Sequence, residues 1–242
     1  MRFDVGSIFP QAVGGIVSIG VVGQAIEAGD ISVHLHDLRD YTDDPHRVVD
    51  DRPYGGGAGM LLKVEPFVRA IEALRPAWGP RTTVLLLSAQ GRLFTQKDAA
   101  RYARGDGLVL LCGRYEGVDE RILSFVDEEI SVGDFVLAGG ESAAALVIEA
   151  TARMVPGVVG KYESVATDSF YDEPRVGAPQ YTRPPDFRGL KVPDVLLSGD
   201  HTKIEAFRAR EAWRKTAKNR PELLGLSPDE TRPAGGKDGD LG

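Results

Sequence analysis

Three short stretches carry the residue types needed to hold a small organic molecule against the main chain. Residues 88–92 read SAQGR, residues 113–117 read GRYEG and residues 133–140 read GDFVLAGG, and each follows a strand-like run. Ser131, Gly133, Gly139 and Gly140 have little or no side chain, so a ligand can reach nearby N–H and C=O groups. Gly139 and Gly140 stand where a strand gives way to an apolar helix, the usual position of a crevice in an α/β sheet. Taken alone, residues 127–141 (DEEISVGDFVLAGGE) fit a bare tight turn as well as a crevice. Three such ends converging are far more specific than one, because open α/β sheets bind ligands outside the carboxyl ends of their strands.

A fourth glycine-rich segment, RPYGGGAGM at 52–60, cannot be a stable helix or central strand. It suits a mobile loop or a backbone laid against a ligand or an RNA phosphate. No Gly-Lys-Ser/Thr follows it and no Gly-x-Gly-x-x-Gly follows an early strand, which excludes a nucleotide P-loop and a dinucleotide-binding fingerprint. His34 and His36 alternate on one strand face without a supporting Cys or His cluster, so no metal site is expected. The single Cys112 lies in an apolar run and reads as a buried small residue rather than a nucleophile.

The elements that must position these stretches follow from periodicity. Strands are expected at 3–9, 31–38, 82–88 and 108–112, and helices at 64–74, 95–104, 142–154 and 201–217, with a further helix ending near Phe125. Thr95-Gln96-Lys97-Asp98 is a capping-box-like start. Apolar strands without alternation, separated by helices, imply an α/β fold whose parallel sheet is covered on both faces. Residues 160–187 lack periodicity and read as a mobile linker, and 229–242 as a polar, disordered tail.

With 242 residues, 42% apolar and 27% charged, the chain has material for one large domain or two modest ones. No apolar run approaches the ~20 residues of a membrane span, and MRFDVGSIFP lacks the pattern of a secretory signal. With one cysteine, these features favour the cytoplasm. The net charge is −7, but it is unevenly spread: residues 1–160 hold 15 basic and 22 acidic side chains, while residues 201–220 hold seven Lys/Arg against two Glu. A basic helix on an acidic body is compatible with RNA.

Many of these loops together resemble one family. FDVGSIFP, LHDLRDY, DDRPYGGGAGM, CGRYEGVDER, SVGDFVLAGGE, ARMVPGVVG, TDSF, PQYTRP, VPDVLLSGDH and NRPELL occur in the order found in the bacterial tRNA (guanine-N1)-methyltransferases, the TrmD-type members of the SPOUT class. The resemblance spans nearly all of residues 1–226. It departs at Ala58 and Ala89, where the family usually or often has Pro, and at Phe135, where it often has Tyr. Ala89 makes its loop less rigid.

The resemblance implies a knotted α/β domain at 1–159, with a deep trefoil knot as an exception to the rule against knots. It also implies a small all-helical tRNA-binding domain at 188–228 and a homodimer with active sites between subunits. The cofactor would be S-adenosylmethionine and the target the guanosine at position 37 of tRNA. Val132, Gly133, Asp134, Phe135, Val136 and Leu137 would form the adenine wall, with Gly139 and Gly140 permitting close approach. Gly113, Tyr115 and Glu116 would border the ribose and methionine part, Glu116 accepting from ribose hydroxyls or facing the sulfonium. Leu87, Ser88, Ala89, Gln90 and Gly91 would form the opposite wall.

The base for guanine N1 would be Asp168, and Arg153 would stabilise charge on O6. Lys203, Arg208, Arg210, Arg214, Lys215, Lys218 and Arg220 would contact phosphates. Assistance from Mg²⁺ stays open, as do two other readings: methylation of another RNA position, and a non-catalytic RNA-binding protein of the same fold.

Overall fold

The computed structural model describes residues 1–160, 168–171 and 173–226. It divides into two compact units, Met1–Gly160 and Lys161–Gly242. Of the expected linker, residues 161–167 and 172 lie outside the described residues, as does the whole of the expected tail.

The first unit is built on a five-stranded, all-parallel sheet. In chain order its strands are β1 (Arg2–Ser7), β2 (Ser32–Asp37), β5 (Thr82–Leu93), β6 (Gly107–Cys112) and β7 (Glu128–Ser131), and their spatial order is β2-β1-β6-β5-β7. A separate antiparallel pair, β3 (Asp50–Asp51) with β4 (Leu61–Leu62), flanks the glycine-rich segment. The runs in β5 and β6 are continuously apolar because helices cover both faces. Phe3, Val5, Leu85, Leu87, Leu108 and Leu110 pack into one core, while Val84, Leu86, Val109 and Leu111 pack into another. Alternation is present along each strand, but both faces need apolar side chains, which hides it in the sequence.

One face is covered by α1 (Gln11–Val17), α2 (Gly20–Ala28) and α5 (Glu141–Ala152), the other largely by α3 (Val64–Leu74). The fourth helix, α4 (Gln96–Tyr102), opens at Thr95, whose N–H donates to the Asp98 carboxylate at 3.0 Å. The expected helix ending near Phe125 is instead a 3-10 turn, Glu120–Ser124, capped by Asp119 and anchored by buried Ile122. Residues 113–119 are taken up by a loop bonded to Met60, Leu62 and Gly140, which leaves a single turn before β7. Neither α1 nor α2 was expected, since their glycines break the periodic pattern; Val13, Val17, Val22 and Ala25, buried against the sheet, hold them in place.

The second unit contains α6 (Asp194–Leu197) packed on α7 (His201–Asn219), followed by the 3-10 turn Pro221–Leu224. The Asp200 carboxylate accepts from the Lys203 N–H at 3.2 Å and starts α7. A two-residue antiparallel pair, β8 (Asp186–Phe187) with β9 (Leu190–Lys191), adds to the helices expected there. Among the described residues no single helix is long and apolar enough to cross a membrane.

On β1, one strand in from the sheet's edge, Asp4 is 1% exposed yet charged. Arg2 donates to it at 2.7 and 2.8 Å, and His36 Nε2 donates at 2.8 Å. Burial works against its ionisation, but the bonds from Arg2 and His36 outweigh burial and hold the carboxyl at about 2. An unfolded aspartate titrates near ~3.9, so this stabilisation is complete above that value and is lost as pH falls through about 2. Asp4→Asn should therefore flatten the acid limb of a stability-against-pH curve by about 2 kcal/mol between pH ~4 and ~2, measured by urea unfolding.

Candidate functional site

The site begins with a break in the ladder between β5 and β7. Leu85, Leu86 and Leu87 pair with Glu128, Glu129 and Ile130, and then Arg92 pairs with Ile130 again and Leu93 with Ser131. Residues 88–91 therefore leave the sheet and return to the same register position. Gly91 makes the return possible: a Cβ there would lie 2.4 Å from the Ile130 nitrogen and 2.6 Å from the Glu129 carbonyl carbon. Inside the excursion the Ser88 hydroxyl accepts from the Gln90 N–H at 3.0 Å.

The loop after β6 is bound to the loop after β7. Gly140 N–H donates to the Gly113 carbonyl at 2.9 Å, and Arg114 and Gly139 form an antiparallel bridge. Tyr115 sits at φ +61°, a left-handed conformation uncommon for a side chain of its size, and is half-exposed. The glycine-rich segment reaches this loop too. Glu116 N–H donates to the Met60 carbonyl at 3.1 Å. Gly59, at φ +86°, lies so close to Glu116 that a Cβ would be 2.4 Å from its Cγ. The third loop turns tightly, with Gly133 N–H donating to the Ser131 hydroxyl at 3.2 Å and Phe135 N–H to the Gly133 carbonyl at 2.9 Å.

Together these loops enclose a cleft of about 430 Å³. Leu87, Ser88, Ala89 and Gln90 line one side, Gly113, Tyr115 and Glu116 another, and Val132, Gly133, Phe135, Val136, Leu137, Gly139 and Gly140 the third. Of the expected wall residues, Gly91 faces β7 instead, and the exposed Asp134 is not among the lining side chains. The sequence reading missed Arg114, Glu120, Glu129 and Leu61 in the lining, while Ser131, singled out for its small side chain, is there. Arg114 stood inside a loop already singled out, and Leu61 follows the glycine-rich segment directly.

The charges of the cleft are of two kinds. Glu141, 5% exposed at the start of α5, accepts from Ser7 at 2.6 Å and from Arg114 at 3.3 and 3.4 Å. Arg114 also lies 4.6 Å from the Phe9 ring centroid. This buried pair is internally satisfied. Glu116 and Glu129, in contrast, pair with no cation among the described residues. The cleft thus offers open main chain, apolar side chains and the three carboxylates of Glu116, Glu120 and Glu129, a lining suited to a flat ring system attached to a cationic group. Behind it, burial pushes the Cys112 thiol well above its ordinary value, consistent with an inert packing residue.

The two expected catalytic residues lie in different units. Arg153, partly buried, closes α5 at its C-cap. Asp168 is exposed and precedes a loop tied to α7. In that loop the Ser169 hydroxyl accepts from the Gly177 N–H at 2.8 Å, and Val176 N–H donates to the Thr216 hydroxyl at 3.1 Å. All seven basic residues at 203–220 are exposed, with Arg210 and Arg214 sharing Glu211 at 3.5 and 2.8 Å.

Residues 1–226 match a family model described as tRNA (Guanine-1)-methyltransferase TrmD. A tRNA (guanine-N(1)-)-methyltransferase of Anaeromyxobacter sp. (strain Fw109-5) is 52% identical over 225 residues, spanning 93% of this chain and 90% of that protein. Proteins of the same name from Citrifermentans bemidjiense and Persephonella marina are 50% and 47% identical, each over 93% of this chain and over 90% and 88% of their own lengths.

Removing Arg114 leaves the buried Glu141 carboxylate with only the Ser7 hydroxyl beside it. Arg114→Met should destabilise the chain by about 3 kcal/mol in urea unfolding, and Arg114→Met with Glu141→Gln by clearly less than the sum of the single changes.

Proposed function

The chain belongs to the tRNA (guanine-1)-methyltransferase family, and on that premise we propose that it transfers a methyl group from S-adenosylmethionine to N1 of the guanosine at position 37 of tRNA. The observation that carries this reading is the three-loop cleft, whose size falls within the ~300–1,000 Å³ of sites for such ligands. Its exposed main chain suits an adenine, which is read by hydrogen bonds from backbone groups. Glu116 and Glu129 supply negative charge for a molecule carrying an ammonium and a sulfonium.

Guanine N1 carries a proton at neutral pH, so its lone pair is blocked until a base removes that proton. Asp168 takes this role in the proposal, its carboxylate receiving the proton as the N1–carbon bond forms. Arg153 donates to O6, where negative charge accumulates as the proton leaves. The cofactor, when bound, supplies an electrophilic methyl on its sulfonium. The basic side chains on and beyond α7, from Lys203 to Arg220, hold tRNA phosphates and position the RNA without reading its sequence. The target base leaves its stack at a cost of a few kcal/mol.

The same reading includes the trefoil knot, for which the Gly113–Gly140 bond and the Arg114–Gly139 bridge are supporting contacts. It includes a homodimer, supported by the exposed Ile16, Ile19 and Leu146 on or beside helices that cover one sheet face. It also includes work in the cytoplasm.

Labelled S-adenosylmethionine should methylate an unmodified tRNA with guanosines at 36 and 37, and a transcript with adenosine at 37 should stay unlabelled. Equal labelling of the two would sink the position assignment. Asp168→Asn should lower turnover by at least about 10²-fold with cofactor affinity kept within a few-fold. Turnover at the wild-type rate would remove Asp168 as the base.

A further inference from the structure

Residues 88–91 leave the sheet at Leu87 and must be caught again at Arg92. The ladder alone holds the return weakly. Up to Leu87 the strand is paired on both sides, with Cys112 of β6 and Ile130 of β7. Beyond the excursion it is paired on one side only, through Arg92–Ile130 and Leu93–Ser131. A second device stands at that point. Arg92 Nη2 lies 2.8 Å from Asp98 Oδ1 and also bonds Glu128, the first residue of β7. Arg101 of α4 grips both Glu128 oxygens, at 2.8 and 2.9 Å, and reaches Asp98 at 3.3 Å. The Tyr102 hydroxyl donates to Glu128 at 3.1 Å, and its ring stacks on Phe94, two residues past Arg92.

The electrostatics agree with the geometry. Burial opposes ionisation of Asp98, yet its bonds from Arg92 and Thr95 hold it at about 2. Burial raises Glu128 as well, and the bonds from Arg101 and Arg92 bring it below its ordinary value. Burial pushes Tyr102 up to about 12, so it stays a donor. Two arginines and two carboxylates around one tyrosine form a network, which holds position better than isolated surface pairs. None of these side chains lines the cleft.

We infer that Arg92, Arg101 and Glu128 are positioning residues that clamp the far end of the 88–91 excursion and thereby set the cleft wall carried by Ser88, Ala89 and Gln90. The clamp acts on ligand binding, not on proton transfer or charge stabilisation at the base. The inference rests on the reading that this cleft takes S-adenosylmethionine.

The test uses full-length Glu128→Gln, Arg101→Lys and Arg92→Lys, each checked for folding by circular dichroism. S-adenosylmethionine is titrated calorimetrically, and initial rates are taken with unmodified tRNA. The clamp predicts a roughly tenfold rise in cofactor Kd and KM for Glu128→Gln, with kcat within about twofold. It also predicts faster hydrogen exchange at residues 88–91 with β6 unchanged. The two lysine variants, which keep charge but lose the forked contact, should show smaller rises of the same kind. If Glu128→Gln does not fold, Arg101→Lys carries the same comparison.

Cofactor affinity within twofold of wild type in a folded variant overturns the clamp, as does a kcat that falls in step with kcat/KM. Wild-type protein that does not bind S-adenosylmethionine overturns the cofactor reading and this inference with it. Wild-type binding with unshifted variants overturns the clamp alone.

Discussion

Ile130 faces two residues of the same strand, Leu87 on one side of a four-residue excursion and Arg92 on the other. That double registration governs the cleft. A parallel ladder tolerates extra residues only if they leave the sheet entirely and the backbone returns in contact with its neighbour. Gly91 permits the return because no side chain stands between the two backbones there. The displaced residues become a wall. The loops after β6 and β7, joined through Gly113 and Gly140, become the surfaces opposite it. The cleft is thus a by-product of how three strand ends are tied together, and each tie is a backbone contact that a larger side chain would prevent.

Charge is arranged around this frame in separate tasks. Glu141 accepts from both Arg114 and Ser7, so the pair supports the floor where α5 begins and leaves little charge uncompensated. Asp98, Glu128, Arg92 and Arg101 are paired outside the cleft, at the return of β5. Glu116, Glu120 and Glu129, which line the cleft, pair with no cation among the described residues. The excess of acidic residues lies in the first unit, and the basic stretch lies in the other.

The site residues differ in how they are held. Cleft residues sit on short loops between strands and helices of a covered sheet, where neighbouring backbone fixes them. Asp168 sits in a loop secured through Ser169, Val176 and Thr216 to a helix of the second unit.

Much of this was legible from the residues. Continuous apolar runs meant strands buried on both faces, because only a sheet covered twice needs apolar side chains at every position. The helix at Val64–Leu74 and the Thr95 cap were readable because their signals are local. Glycine at strand ends marked the cleft, since no other residue lets backbone come so near. What stayed hidden was non-local. The glycines of α1 and α2 argue against helix until a sheet face is there to bury Val13, Val17 and Val22. The stretch before Phe125 has helical composition, but its first half is held as a loop by bonds to Met60 and Leu62, which leaves one turn. Strand order, the extension of β5 past residue 88 and the meeting of Arg114 with Glu141 depend on which segments lie side by side. The sequence by itself determined the covered parallel sheet and the loops at its edge, because burial and backbone freedom are written residue by residue. Only the tertiary structure decided the register, the excursion and the ion pairs, because pairing between distant segments is a property of their contact.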